Sequence, residues 1–497
     1  MPAVPTAVTT SLTQRIAVRA RRGRYVLPLS ICALYAVFQL VAAPQWTMFP
    51  DSYRYARAAE QHLGVSREEA HRTALAAFCV SRADRTAHDE RLRPMEHASL
   101  PALRTTAEHA CLKRWTDAPD ITTGDPRYQA IFSGRPGYPL LAAPFVGAFG
   151  VLDGMRLLGL VLAAGGSLLV FGLLGRAGLN RRAAAVGQVA FLATPLGWWS
   201  AQALSEGLFT VCVLCVLWGG LLLLRRRSMV KGTALVALGY VAGGVTRYSS
   251  ALVLAVVLGA AATWALCRGR SSRHRGTAVL AVSSAVAAGG VVAAIRILGL
   301  ASSQATLQDT FTHHFETPEI ADPWSELMGL AGRFAGDWIA QQAALPYFLV
   351  LTALAAFALA RHGKGLGLLA LAAALTGACA VLAHPLVQEA DRLGVLMWTP
   401  VILGLPLVVD RHWSSGPVAG VPATEAAVTE AAVTEVAVTE VEATETELRR
   451  AGAADAGCRS AAQPIGLARP VSSGPAVDRT GPAGERRSGG RSNAPSR

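Results

Sequence analysis

Apolar residues in this chain fall into long blocks separated by short polar or basic breaks. A membrane span needs roughly 20 apolar residues, within about 17–25, and by that measure the pattern predicts about ten spans. They fall at residues 26–43, 155–175, 183–199, 203–224, 230–246, 249–267, 277–299, 344–360, 366–383 and 394–409. Two long polar stretches interrupt the series, 45–136 and 301–343. Residues 137–152 are apolar but short, and Pro139 and Pro144 interrupt them. They read as a juxtamembrane helix that does not cross. The fold class is therefore an all-α polytopic membrane domain over 26–413.

The basic residues give the series a direction. Arg15, Arg19, Arg21, Arg22 and Arg24 precede the first span. Arg176, Arg181 and Arg182 follow the second, and Arg225, Arg226 and Arg227 follow the fourth. Arg268, Arg270, Arg273 and Arg275 follow the sixth, Arg361 and Lys364 the eighth, and Arg411 the tenth. Basic clusters mark cytoplasmic loops. Both termini are thus expected in the cytoplasm of a multi-pass cell-membrane protein, with 45–136 and 301–343 outside it. Residues 1–25 form a basic cytoplasmic N-terminus. The first span reads as a signal anchor, because no small-x-small cleavage site follows it. If 137–152 crossed, every later basic cluster would face outward.

Composition agrees. Of 497 residues, 52% are hydrophobic and only 16% charged, against about 25% charged in a soluble domain. Mean hydropathy is +0.36. The net charge of +13 comes almost wholly from arginine, the only lysines being Lys113, Lys231 and Lys364. These arginines cluster at span ends, which argues against nucleic-acid binding. Cys212 and Cys215 form a CxxC inside an apolar run and read as two small hydrophobic residues. Cys79 and Cys111 share the first loop and form either a disulfide or two free thiols. Beyond residue 413, Thr-Glu recurs at 424-425, 429-430, 434-435, 439-440 and 444-445, and the remainder is rich in Gly, Ser, Pro, Ala and Arg. A period of five fits neither a helix face nor a strand, so 414–497 is expected to be a disordered cytoplasmic tail.

The first loop carries candidate chemistry. Pro50 and Asp51 read as a helix start, Tyr55, Ala58, Ala59, His62 and Leu63 recur at helical spacing, and Gly64 ends the helix. A carboxylate at the lipid–water boundary can accept a proton from a substrate hydroxyl; it can equally cap its helix. Ser66-Arg-Glu-Glu69 is a capping-box pattern that opens a second helix to about Arg82. Asp84, Asp89, Glu90, Asp117, Asp120 and Asp125 read as solvated surface. Ser133-Gly-Arg135-Pro-Gly-Tyr138-Pro139 marks a sharp turn back to the membrane.

Pro50-Asp51-Ser-x-x-Tyr55-x-x-Ala58 after the first span resembles the GT-C superfamily of membrane glycosyltransferases. So does Arg135-Pro-Gly-Tyr138-Pro139-Leu-Leu ahead of the second. Ala203-Leu-Ser-Glu206-Gly-Leu-Phe209, Thr246-Arg247-Tyr248 and Glu389-Ala-Asp391-Arg392-Leu393 are similar to later motifs of that superfamily. The resemblance covers roughly residues 25–410, in order. It implies a GT-C-like, mannosyltransferase-like enzyme that moves a sugar from a polyprenyl-phosphate carrier to a glycan, lipid or protein acceptor. It further implies Asp51 as general base, with Tyr55, Arg135, Glu206, Arg247 and Arg392 binding substrate. Many members carry two adjacent acids where this chain has Asp51-Ser52, which leaves a divalent metal open.

Sidedness bears on the same residues independently. Arg247, Arg296 and Arg392 fall near the outer ends of expected spans, against the positive-inside trend. A planar guanidinium suits a lipid-linked phosphate, although snorkelling to headgroups also accounts for such positions. Glu206 either orients an acceptor or sits favourably at a helix N-terminus. His313-His314 with Glu316 reads as surface. Trp324, Leu327, Met328, Leu330, Ala331 and Phe334 predict an amphipathic helix on the membrane. The competing function classes are a transporter or flippase, which requires mid-membrane ionisable or broken-helix features in matched halves, and a non-catalytic scaffold.

Overall fold

The computed structural model describes residues 9–41, 46–91, 99–122, 124–268, 275–363 and 365–414. The basic residues expected ahead of the first span, the cytoplasmic-tail repeats, Arg270, Arg273 and Lys364 lie outside the residues whose side chains are described. The described residues are helical and include no strand. The protein is an all-α membrane protein.

Five helices are each long and apolar enough to cross a membrane: α6 (Gly137–Arg176), α9 (Ser205–Leu224), α10 (Met229–Arg268), α11 (Arg275–Ile297) and α15 (Leu366–Ala383). A sixth is added if α13 (Pro323–Ala344) and α14 (Tyr347–His362), bent by 88°, are one broken span. The other expected spans correspond to shorter pieces. The first is the apolar part of α1 (Thr9–Val41), Tyr25–Val41. The third is divided by Pro195 into α7 (Arg181–Ala193) and α8 (Pro195–Ser200). The tenth is a 3₁₀ turn, Val395–Trp398, followed by α17 (Thr399–Ser414).

Two of the long helices fold back on themselves. In α10 the backbone leaves helical geometry at Arg247, φ −149° and ψ 76°. A Cβ built on Gly243 would lie 3.8 Å from that of Ala251, whereas eight residues of straight helix rise about 12 Å. The element is a hairpin with Arg247 at its tip, and its two limbs are the expected fifth and sixth spans. In α6 the break is Gly150, whose φ of +76° is a left-handed conformation open to glycine. A Cβ on Gly154 would approach the Phe145 carbonyl oxygen to 2.5 Å. The limb before Gly150 is about 20 Å long at 1.5 Å per residue, short of the roughly 30 Å hydrocarbon core. The juxtamembrane segment expected at 137–152 is this short limb.

The core has two parts. Leucines and alanines of α9, α10, α15 and α17 bury one another in the bundle. The second cluster joins the first polar stretch to the bundle: Met48 ahead of α2 (Pro50–His62), Tyr53 and Tyr55 of α2 and Leu75 of α3 (Arg67–Arg91) pack with Tyr138, Met155 and Leu158 of α6. Ser66 Oγ accepts from the Glu69 amide, as the capping-box pattern requires. α3 runs to Arg91, beyond the expected end at Arg82, and Cys79 is disulfide-bonded to Cys111 of α4 (Leu100–Trp115), with Cα atoms 5.6 Å apart. Cys212 and Cys215 are free and lie inside α9.

The ends of the bundle differ in charge. At one end Arg225 donates to the Ala177 carbonyl, Arg411 meets His362, and the Asn180 amide donates to Asp410. Arg176, Arg181 and Arg361 belong to the same end. At the other end acids and arginines are interleaved.

Candidate functional site

Four elements distant in sequence meet at the mixed-charge end. Asp51 is the second residue of α2, a helix started by Pro50. Glu206 is the second residue of α9. Arg247 is the tip of the α10 hairpin. Arg392 lies in α16 (Val387–Leu393), a short helix between α15 and the 3₁₀ turn.

Arg392 is the hub. Its Nη1 donates to Asp51 Oδ2 at 2.9 Å. Its Nη2 is 2.6 Å from Glu389 Oε2, and its Nε is 3.4 Å from Glu206 Oε1. The Glu206 oxygen is also 2.9 Å from Arg247 Nη1. Three carboxylates therefore converge on one guanidinium, and a second guanidinium shares one of them. Glu206 is buried, and Arg392 and Arg247 nearly so, while Asp51 keeps 25% of its side-chain surface exposed. Among the described residues, no group of three or more His, Cys, Asp or Glu is placed to hold a metal ion. The space between Asp51, Glu206 and Glu389 is filled by the arginine.

A second layer stands behind Asp51. Arg54, one turn along α2, places Nη1 3.6 Å from Asp51 Oδ1 and Nη2 3.0 Å from Asp120 Oδ1. Its guanidinium lies over the Tyr128 and Phe132 rings, at 4.8 and 4.5 Å. Asp120 also takes Arg57 Nη2 at 3.1 Å and accepts from Gln129. Asp120 is fully buried, which corrects the surface reading of this residue. A buried carboxylate must be paired, and here two arginines pair it. Asp84, Asp89 and Asp125 match the surface reading, each in an ion pair with a nearby arginine at the protein surface.

Electrostatics separate the two acids that flank Arg392. Burial alone would raise the Asp51 pKa, but Arg392, then Arg54 and Arg135, outweigh it and hold the carboxyl below its usual range. For Glu389 burial wins over the same arginine, and its carboxyl is raised. Asp51 is thus an ionised acceptor at neutral pH, and Glu389 is the carboxyl nearer to taking a proton.

The remaining expected residues surround this hub. Tyr55 donates to Ser205 Oγ at 3.1 Å, beside Glu206, and packs on Tyr138 with ring centroids 5.0 Å apart. The Tyr138 hydroxyl is buried and has no hydrogen-bond partner among the described residues. Arg135 lies 5.9 Å over the Tyr248 ring and within electrostatic range of Asp51. Compared with protein-family models, characterised proteins and solved structures, the chain matches none. The case for a site therefore rests on its own geometry. A small crevice, partly open to solvent, adjoins the hub and is lined by Glu206, Arg247, Arg392, Phe209, Thr210 and Thr376.

Some expected residues stand apart. Arg296 is exposed near the end of α11 and makes none of these contacts. His313 and His314 are not helical; with Phe315 they form a run of left-handed residues after α12 (Ser303–Phe311). His314 Nδ1 is 2.9 Å from Asp309, and its ring packs on Tyr128. Motif resemblance had marked Asp51 and Glu206, and charge at outer span ends had marked Arg247 and Arg392. Arg54, Asp120 and Glu389 were missed as site residues. Arg54 carried a usable signal, since it lies three residues after Asp51 on one helix face.

Proposed function

We propose that this protein is a GT-C-like membrane glycosyltransferase of about ten spans, with its working face outside the cytoplasm and both termini inside. The observation that carries the reading is the Asp51 carboxylate, ionised, partly exposed and fixed by Arg392 beside a crevice rimmed by a second arginine. In this reading the donor is a sugar on a polyprenyl phosphate. The acceptor hydroxyl attacks the anomeric carbon, its proton passes to Asp51 Oδ1, and the bond from that carbon to the phosphate oxygen breaks. The configuration inverts. Asp51 acts as general base. Arg392 and Arg247 donate to the departing phosphate as its charge develops. Tyr55, Arg135 and Glu206 shape the acceptor side. A depressed pKa makes Asp51 a weak base at rest. A phosphate that draws Arg392 toward itself would strengthen that base as the donor binds.

The test is a transfer assay in membrane vesicles with radiolabelled polyprenyl-phosphate mannose, comparing wild type with Asp51→Asn. A loss of about 100-fold or more is expected for a lost proton acceptor. Wild-type turnover retained by the variant would remove Asp51 from its role. Absence of transfer by the wild type from mannose, glucose and arabinose carriers alike would favour transport or scaffolding.

A further inference from the structure

The second polar stretch ends in a helix that the proposed chemistry does not use. α13 is two-faced in an uneven way. Leu327, Ala331 and Phe334 are buried against the protein. Beside them runs a second apolar strip, Trp324, Met328 and Ile339, each more than half exposed. At about 100° per residue these three fall within roughly 60° of one another. Glu326, Arg333 and Asp337 occupy the far side of the helix, and all three are exposed. The strip itself carries no charge.

The chain then turns by 88° at Leu345-Pro346 into α14. α14 is apolar and shows Val350 and Phe357 on its outer side. The exposed apolar surface is thus continuous around the corner, along α13 and then down α14. Aromatic residues fill the inside of the corner. Trp338 packs on Phe348 at 6.0 Å, and Phe348 packs on Trp398 at 4.9 Å. Tyr347 stacks on Trp398 at 6.2 Å. Trp and Tyr concentrate where hydrocarbon gives way to headgroups. Trp398 closes the 3₁₀ turn that follows α16, the helix of Arg392.

We infer that α13 lies flat in the lipid–water boundary, its Trp324–Met328–Ile339 strip seated in the acyl region of the leaflet, and that this seat holds the Asp51–Arg392 hub at headgroup depth. The partner is the lipid bilayer. Continuity of the strip with the outer side of α14 is the reason, since whatever solvates α14 also reaches α13. A helix at about 90° to a membrane-embedded neighbour runs parallel to the surface. Its polar side then faces water and its strip faces the acyl chains. Because the strip is uncharged, its depth should not depend on anionic lipid. The inference stands whether the hub is a transferase site or not.

The test uses the full chain in liposomes, with Cys79 and Cys111 as the only native cysteines kept. Nitroxide labels are placed singly through W324C, M328C and I339C on the strip, and through E326C, R333C and D337C on the polar side. All six positions are exposed, so the labels do not intrude on the core. The oxygen-to-nickel-chelate accessibility ratio is expected to be severalfold higher for the strip than for the polar side. The contrast should be the same in phosphatidylcholine and in phosphatidylglycerol-rich bilayers. Nickel access at all six positions would put α13 in water and overturn the inference. Shielding of the strip from both reagents, with spin–spin broadening, would assign it to a second copy and overturn it equally.

Discussion

Arg392 donates to Asp51 at 2.9 Å across a sequence separation of 341 residues. The same guanidinium lies within ion-pair distance of Glu206 and Glu389. This cation holds the proposed base in place and leads the three arginines that depress its pKa. Its removal leaves three carboxylates facing one another with only Arg247 and Arg54 in direct contact.

Arg392→Gln is expected to be costly in two ways. Breaking a buried pair on one side costs roughly 3–5 kcal/mol, which thermal unfolding in detergent would read. Loss of an oriented cation at a developing charge costs on the order of 100-fold in transfer. Arg392→Lys keeps the charge but cannot reach Asp51, Glu206 and Glu389 from one planar fork. It should recover stability better than activity. Equal recovery of both by lysine would make Arg392 a mere counter-charge.

The two acids beside Arg392 have opposite signatures in pH. The folded value of Asp51 is depressed, so its contribution to stability is present above the unfolded value of about 3.9 and is lost as pH falls through the folded value. Activity should therefore show no acid limb from Asp51 between about pH 8 and 5. The folded value of Glu389 is raised, so its contribution falls as pH rises from about 4.3 through that folded value. Glu389→Gln should remove this decline, read as a flatter dependence of unfolding temperature on pH. In Arg392→Gln the Asp51 limb should move upward. An unmoved limb would show that Arg392 does not control the base.

Asp120 gives a separate handle. Asp120→Ala leaves Arg54, packed on two aromatic rings, and Arg57 nearby without their shared carboxylate, a loss of roughly 3–5 kcal/mol. The double variant Asp120→Leu with Arg54→Met replaces the buried pair by apolar groups and should regain most of that stability. It should not regain transfer, because Arg54 also faces Asp51. Recovery of both in the double variant would make the Asp120–Arg54 pair purely structural.

The membrane character was legible in the long apolar blocks, Arg247 and Arg392 as arginines at outer span ends against the positive-inside trend, and Asp51 and Glu206 through motif resemblance alone. Asp120 was not legible, because it sits in a loop of mixed charge where a buried and a solvated aspartate have the same neighbours in sequence. Its burial depends on Arg54 and Arg57 arriving from α2. Motif resemblance marked Arg247, but the backbone break that makes it a hairpin tip follows from packing of the two limbs. The turn at Gly150 had only an unremarked glycine to announce it. The left-handed run at His313–Phe315 is carried by side-chain contacts, His314 with Asp309 and Tyr128, and no residue in it has a left-handed preference strong enough to read.

The order of synthesis gives the hub a history. Asp51 and Glu206 leave the ribosome long before Arg392, the cation that joins them. Until α16 docks, Asp51 has Arg54 beside it and Glu206 has Arg247, but no cation joins the two acids. The hub is therefore the last of these ion-pair contacts to be completed along the chain. A chain cut short before residue 392 could insert its helices, yet its Asp51 and Glu206 would lack the one guanidinium that joins them.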